Sequence, residues 1–229
     1  MSHERKDNDD YFIVGFDFET GGFDFSNGIL SACFFHPPAF PDDPSAFEEY
    51  SLIQPPPGTV ISPKALEVNK IDVKELAGKP TFDEFMIQQV FPRLPRGRRI
   101  LFVGHNAFDF DSRWLRHYME QVYPNMLHAV PDYNTMWFFS DTLDMIKSYK
   151  CTLEKEHQPP SNKLADVYPY FFDGETFDAH CALDDTRACG RLFLCLKEKM
   201  GDKYPVKCWS SVGCMMIITE ENVDRLLYS

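Results

Sequence analysis

The segment Tyr11–Thr20, with the sequence YFIVGFDFET, constrains the fold most, because an apolar run ends there in two acidic residues. Such a run predicts a buried strand, and the Gly-Gly pair that follows predicts a turn into a second strand. Asp17 and Glu19 are two residues apart, so their side chains share one face of the strand. Neighbouring carboxylates repel each other, and metal binding is the usual way to stabilise such a pair beside an apolar run. A solvated strand end explains this short pattern as well.

The rest of the chain combines predicted strands with predicted helices, which fits an α/β domain. A length of 229 residues fits one domain of this class and is short for two. Further strands are predicted at 28–35, 49–55 and 98–104, and helices at 82–94, 111–123, 140–149, 161–172 and 180–200. Residues 55–71 predict a loop that leads into a short helix, and residues 203–229 predict a hairpin followed by a short helix.

The charge balance limits how this protein can meet nucleic acid. The formal net charge is −12, which excludes binding through a broad basic surface. Any phosphate contact must be local, and a carboxylate-rich site that recruits divalent cations reconciles an acidic protein with a phosphate substrate. The dense basic run of Arg93, Arg96, Arg98 and Arg99 predicts either a contact with a phosphate backbone or a solvated loop.

Hydropathy and cysteine content indicate a compartment. No apolar run approaches the roughly 20 residues that cross a bilayer, and the charged start lacks the apolar stretch of a signal peptide. The seven cysteines form no CxxC pair, so we expect small buried hydrophobic residues rather than a zinc site or a disulfide framework. These features predict a soluble intracellular protein, in the cytoplasm or nucleus, with no membrane partner.

A second acidic segment, GHNAFDFDSRWLRHYM, contains two candidate aspartates. Asp111 is in helical register with Leu115 and Tyr118, which belong to the apolar stripe that should face the core. Asp109 is in register with Arg113 on the polar side. The pattern therefore predicts that Asp111 points inward, either as a helix cap or as a metal ligand.

The third acidic segment is HCALDDTRACGRLFLCL. Asp185 falls in line with Leu192 on the apolar stripe, whereas Asp184 falls in line with Arg191, so Asp185 is predicted to point inward. His180 stands five residues before Asp185, a spacing that predicts a position in the loop before the helix. A single histidine at such a place is most often a surface or capping residue, and only the neighbouring acids suggest a catalytic role.

In this order the motifs DFET, GHNAFDFD and HCALDD resemble those of the DEDDh, or DnaQ-like, 3′-to-5′ exonuclease superfamily, with the closest likeness to its ribonuclease T branch. The resemblance spans about residues 11–199 and implies an α/β fold with a ribonuclease H-like mixed five-stranded sheet flanked by helices. The second motif has one residue more than the usual pattern, which leaves Asp109 as a rival of Asp111. The resemblance implies four metal ligands and a histidine: Asp17, Glu19, Asp111, Asp185 and His180.

The same resemblance implies the chemistry. Two Mg²⁺ or Mn²⁺ ions bound by the four carboxylates would promote attack of water on the terminal phosphodiester, and His180 would act as the general base. The expected partner is a nucleic acid with a free 3′ end, single-stranded or 3′-overhanging, degraded to 5′-mononucleotides. DNA and RNA are not distinguished, and a homodimer is the family's expectation. The alternatives are a non-catalytic exonuclease-like binding or interaction module and another two-metal nuclease or strand-transfer enzyme.

Substrate contacts are expected beside the first two motifs. The resemblance assigns Thr20, Gly22, Phe23 and Asn106 to the substrate end. Phe23 and Phe25 predict either aromatic faces for base stacking or core residues of a hairpin. Asp141 resembles a recurring family aspartate, and capping of the following helix explains it equally. The expected domains are a disordered tail at 1–10, an exonuclease domain at 11–199 and a C-terminal extension at 200–229.

Overall fold

The structure, a computed structural model, describes residues 11–38, 42–129, 137–201, 203–209 and 215–217. The predicted tail at 1–10 lies outside the described residues. One mixed β-sheet runs through the molecule. Its strands are β1 (Tyr11–Thr20), β2 (Ile29–His36), β3 (Phe47–Leu52), β4 (Arg99–Gly104), β5 (Trp137–Asp141), β6 (Lys207–Trp209) and β7 (Met215–Ile217).

The strand order across the sheet is β3-β2-β1-β4-β5-β6-β7. β1 is parallel to β4 and β4 is parallel to β5, whereas the other neighbouring pairs are antiparallel. The predicted mixed α/β fold is confirmed, and β1 to β5 match the five strands that the resemblance implies. The sequence pattern predicts no strand at β5, and the helix predicted at 140–149 begins only at Thr142, because Ser140 and Asp141 end β5. The sheet continues by two further strands, because the C-terminal segment adds β6 and β7 to the edge at β5.

Helices cover both faces of the sheet and follow the apolar periodicity of the sequence. The helices are α1 (Pro63–Asn69), α2 (Phe82–Phe85), α3 (Asp111–His117), α4 (Met126–Ala129), α5 (Thr142–Lys150), α6 (Leu164–Phe171) and α7 (Ala182–Met200). The helical stretches predicted at 82–94 and 111–123 are confirmed. After α2 the chain continues as a π-helix at Met86–Val90 and a 3-10 helix at Phe91–Arg93, and after α3 it continues as a π-helix at Tyr118–Val122.

The alternation of side chains along β1 separates two apolar cores. Phe12, Val14, Phe16 and Phe18 belong to the core shared with α2 and α3. The residues between them belong to the opposite face, which α7 covers. Since successive side chains of a strand point to opposite faces, this burial pattern directs the two acids of β1 toward α7.

The C-terminal segment begins as an extension of the sheet. β6 pairs with β5, where Cys208 lies opposite Phe138, and with β7, where Cys208 lies opposite Met216. The predicted C-terminal hairpin is therefore confirmed. The short helix that was expected after it lies outside the described residues, and the boundary at residue 200 stays a prediction.

The burial of the cysteines and the lengths of the helices can be compared with what composition and hydropathy predicted. Cys33, Cys189 and Cys208 are buried free thiols, as predicted for small hydrophobic residues, whereas Cys151 is exposed and contradicts that expectation. Cys151 lies where α5 ends, at a surface turn. Among the described residues, no helix combines the length and the apolar character that a bilayer crossing requires.

Candidate active site

Asp17 and Glu19 lie on the α7 face of β1 because of their two-residue spacing. α7 crosses β1 closely at Gly15, where a Cβ atom would lie 3.2 Å from the Thr186 side chain and 3.3 Å from its carbonyl oxygen. This close crossing brings Asp185, the residue before Thr186, over the strand. Asp17, Glu19 and Asp185 each offer a carboxylate oxygen within 4.8 Å of the others.

Asp111 reaches the same end of β1 from α3. The last pair between β1 and β4 is Gly15 with Val103, so β1 extends beyond its parallel neighbour. The backbone N–H of Phe18 in this extension donates to Asp111 Oδ1 at 3.1 Å. Asp111 is 2% exposed, whereas Asp109 is exposed. The predicted inward direction of Asp111 is confirmed, and its role as a metal ligand stays a prediction.

Burial raises the pKa of all four carboxyl groups. Desolvation raises the pKa of Asp111 to about 8, that of Glu19 to about 7 and that of Asp185 to about 6. Desolvation also raises the pKa of Asp17 well above its usual value, and repulsion by the other three carboxylates raises it further. A cation among these groups would restore the solvation that burial removes and relieve their repulsion.

The donor set fits a hard divalent cation. Three partly exposed carboxylates converge, and the buried fourth contacts the backbone between Asp17 and Glu19. Carboxylate oxygens are the ligands that Mg²⁺ and Mn²⁺ prefer, whereas zinc favours thiolate and imidazole. We call these four residues (Asp17, Glu19, Asp111 and Asp185) the acidic site.

His180 lies in the turn before α7, as its spacing predicts. Its φ is +69°, a left-handed backbone conformation. Its backbone N–H donates to Asp185 Oδ2 at 2.8 Å, so the turn is attached to the acidic site while the imidazole remains exposed. The assignment of His180 as general base stays a prediction.

Comparisons with known proteins bear on this arrangement. A family model described as RNase_T, exonuclease, matches residues 48–193, which is more than half of the chain. The chain belongs to this exonuclease family. The matched region contains Asp111, His180 and Asp185 and begins after Asp17 and Glu19, so the first motif joins the site through the fold. No curated protein matches the chain.

Solved exonucleases share the fold of this exonuclease-family chain. A 3′-exonuclease that recognises the 3′ end of the histone mRNA stem-loop has a TM-score of 0.64 and 15% identity, over 95% of this chain and 74% of that one. E. coli exonuclease I in complex with a dA16 oligonucleotide has a TM-score of 0.60 and 16% identity, over 81% of this chain and 40% of that one. At these identities the likeness shows the fold alone, and the chain spans well under half of exonuclease I.

The glycine turn after β1 positions the substrate residues that the exonuclease resemblance assigned. Thr20 is buried, and its Oγ1 donates to the Gly22 carbonyl at 2.7 Å. A Cβ atom at Gly21 would collide with the carbonyl oxygen of Asn27, so this turn requires glycine for a close approach. The turn directs the following Phe23 outward. Substrate contacts by Thr20 and Gly22 stay predictions.

Phe23 is 93% exposed, so the interpretation of this residue as part of a hairpin core is wrong. Its ring lies edge-on to Phe110, with 6.3 Å between ring centroids. Sequence reasoning missed Phe110, although it directly precedes the inward Asp111 and therefore points elsewhere. The two rings border an open pocket of about 200 Å³ lined by Phe23, Asp24, Phe25, Asp109, Phe110, Arg113 and Trp114.

Phe25 packs partly within the protein. Its ring stacks on His117 with centroids 4.1 Å apart and contacts Trp114 edge-on at 5.0 Å. One ring face is therefore covered by α3. Phe25 also lines the pocket that Phe23 borders, so stacking of a base on Phe25 stays a prediction.

Asp141 anchors the loop 105–110, which leads to the second motif of this exonuclease-family chain. Its Oδ1 accepts the N–H of Asn106 at 2.8 Å and that of Leu143 at 2.9 Å, and its Oδ2 accepts the N–H of Phe108 at 3.0 Å. The helix cap predicted for Asp141 is confirmed, and the loop contacts are additional. Asn106 is exposed and has φ +65°, and its contact with substrate stays a prediction.

The arginine run lies far from the acidic site. Arg99 begins β4 and pairs with Tyr11 at the start of β1, six residues before Asp17, which corresponds to about 20 Å along a strand. Arg93 Nε donates to Glu49 at 2.8 Å, and the Arg98 guanidinium lies 5.6 Å from the Phe12 ring centroid. These placements favour the interpretation of the run as a solvated loop with local partners.

Proposed function

We propose that this protein is a 3′-to-5′ exonuclease that hydrolyses single-stranded or 3′-overhanging nucleic acid to 5′-mononucleotides. One observation carries the proposal: three carboxylate oxygens from β1 and α7 lie within 4.8 Å of one another, with the buried Asp111 against the same strand. This arrangement supports phosphodiester hydrolysis, because a substrate phosphate can approach carboxylates only together with cations. The exonuclease family of the chain supports the same class of reaction.

The acidic site is the proposed holder of two Mg²⁺ or Mn²⁺ ions. Asp17 belongs near the centre of the cluster, because its carboxyl group is repelled by all three of the others. Asp111 is held rigidly by the backbone of β1, whereas the partly exposed Glu19 and Asp185 stand on the solvent side. When bound, such ions neutralise charge on the phosphate and lower the pKa of water.

His180 is the proposed general base. It stands at the mouth of the acidic site, since its own N–H donates to Asp185, and its ring is free to face an incoming phosphate. A neutral imidazole carries a ring nitrogen that can accept a proton from water. The imidazole would take the proton at a ring nitrogen and release it to solvent after product departs.

The terminal base is proposed to stack against Phe23. This ring is nearly fully exposed, borders an open pocket and follows Glu19 by four residues. Exposure of a phenylalanine to water is unfavourable, and a stacked base would cover it. Stacking tolerates every base, because each has a π face, and so supports degradation without sequence preference.

The fold of the chain occurs both in a 3′-exonuclease on an mRNA stem-loop and in exonuclease I on a DNA oligonucleotide. Both RNA and DNA are therefore substrates to test. A suitable experiment uses oligonucleotides of each kind, labelled at either the 3′ or the 5′ end, with Mg²⁺, Mn²⁺ or EDTA. Wild-type protein is compared with Asp17→Ala and His180→Ala, and with Glu198→Ala as a control, an exposed acid near the far end of α7 from the acidic site.

The expected result is metal-dependent release of mononucleotides from the 3′ end, lost in Asp17→Ala and His180→Ala and retained in Glu198→Ala. A blocked 3′ end should stop degradation, whereas an endonuclease would cut a blocked strand internally. Binding of nucleic acid without cleavage under every metal condition would overturn the proposal in favour of a non-catalytic module.

A further inference from the structure

The C-terminal strand β6 lies beside the loop that leads to Asp111. Lys207 pairs with Phe139 of β5, and Ser140 Oγ donates to the carbonyl of Pro205 at 2.8 Å. Both contacts attach β6 to the strand whose last residue, Asp141, anchors the loop 105–110. β6 and the loop 105–110 are therefore both attached to β5.

Lys207 reaches from β6 onto that loop. Its Nζ lies 3.7 Å from the centroid of the Phe108 ring, well inside the range of a cation–π contact. Phe108 is buried and the Lys207 side chain is half-buried. Partial removal from water strengthens the attraction between the ammonium group and the ring.

Phe108 is fixed on its other sides. Its N–H donates to Asp141 Oδ2 at 3.0 Å, and its carbonyl accepts Ser112 Oγ at 3.3 Å. The ring is thereby held by Lys207 and the backbone by Asp141 and Ser112. Asp111 follows three residues later, so the position of Phe108 sets where α3 begins.

We propose that Lys207 is a positioning residue of the active site, which fixes the Phe108 ring and thereby the loop that holds Asp111 against β1. The C-terminal strand is then part of the functional unit. Lys207 acts through Phe108 and does not contact the substrate. The catalytic part of this inference rests on the proposed function, whereas the effect on the loop can be measured without turnover.

The test compares Lys207→Met, which keeps the length of the side chain and removes its charge, with Lys203→Met on the same segment. Lys203 is exposed and serves as the matched control. In Lys207→Met, the Mn²⁺ concentration for half-maximal activity should rise roughly 5- to 30-fold, with a lower kcat and an oligonucleotide KM within about twofold of the wild type. Lys207→Arg should restore activity, because guanidinium also binds an aromatic face.

Deuterium exchange supplies the readout that needs no activity. Peptides covering 105–110 should exchange faster in Lys207→Met than in the wild type and in Lys203→Met. Unchanged exchange together with an unchanged Mn²⁺ requirement would overturn the inference. If the wild type hydrolyses nothing, the proposed function fails, and exchange with calorimetric Mn²⁺ binding still decides the role of Lys207.

A double-mutant cycle separates the proposed role of Lys207 from a general loss of stability in Lys207→Met. If Lys207→Met lowers the melting temperature, the substitution is repeated in a Phe108→Leu background. Lys207→Met should there leave exchange of the loop and Mn²⁺ binding unchanged, because the ring through which it acts is gone. An equal effect in both backgrounds would mean that Lys207 does not act through Phe108.

Discussion

The two ends of the parallel strands β1 and β4 differ in the sign of their charges and in whether those charges have partners. At the start of the strands, Arg99 pairs with Tyr11 and the Arg98 guanidinium lies over the Phe12 ring. At the far end, the pKa of Asp17 is raised by burial and by other carboxylates. Charges with local partners fit a structural role, whereas like charges clustered in a desolvated place are typical of a functional site that binds a cation.

The largest effect is expected within the acidic site. Asp185→Asn should lower kcat on the order of 10³-fold, because the carboxylate that we propose as a metal ligand becomes a neutral amide. Asp184→Asn is the matched control, since Asp184 forms an exposed ion pair with Arg187 at 3.2 Å. Release of mononucleotides from 3′-labelled substrate measures both. Equal losses in the two variants would contradict the assignment of Asp185.

Phe23→Ala tests the pocket beside the acidic site. Stacking contributes on the order of 1–3 kcal/mol per base, so KM should rise roughly 5- to 150-fold with little change in kcat. The melting temperature should stay constant, because the ring is already exposed. Leu194→Ala, another exposed apolar truncation, should leave KM unchanged. A Phe23 variant with normal KM for every oligonucleotide would remove this residue from the substrate site.

Asp111→Asn tests whether the acidic site destabilises the metal-free protein. The amide oxygen can still accept the Phe18 N–H, and the buried charge is gone. In EDTA at pH 8, the free energy of unfolding should rise by about 1–3 kcal/mol, whereas exposed Asp109→Asn should leave it unchanged. Urea unfolding with EDTA, and again with Mn²⁺, measures the difference.

The increase in the free energy of unfolding of Asp111→Asn should depend on pH, because the pKa of Asp111 is raised in the folded protein. Asp111 titrates at about 8 in the folded protein and near 3.9 in the unfolded chain. The ionised carboxyl therefore penalises folding most at pH 8 and above, and the penalty fades as the pH falls toward about 4. A gain in Asp111→Asn that is constant with pH would show that charge burial is not its cause.

The smallest effect is expected at Arg93. Arg93→Ala removes an exposed ion pair with Glu49, so it should change the free energy of unfolding by less than about 1 kcal/mol. Activity should change by less than about twofold, because Glu49 lies on the edge strand β3 opposite Phe34, on the face of the sheet that α7 does not cover. A large increase in KM that disappears at high salt would place a substrate strand along this edge.

The sequence by itself determined the direction of the main acidic side chains. Period-two alternation puts Asp17 and Glu19 on one face of β1, and helical periodicity separates the buried Asp111 from the exposed Asp109. These conclusions depend only on which face of one strand or helix is buried, and the spacing of apolar residues along the sequence indicates that face directly. For the same reason β1 to β4 and the long helix α7 follow from the pattern, whereas the pattern predicts no strand at β5 (Trp137–Asp141) and assigns its last two residues to the following helix.

Distances between segments were decided only by the tertiary structure. The convergence of Asp17 with Asp185 depends on the close crossing of α7 over Gly15, and the remoteness of the arginines depends on the parallel pairing of β1 with β4. The exposure of Phe23 follows from the close glycine turn after β1, and the contact of Lys207 with Phe108 follows from the pairing of β6 with β5. Periodicity states which face of an element is buried, whereas packing across the sheet decides which buried faces meet.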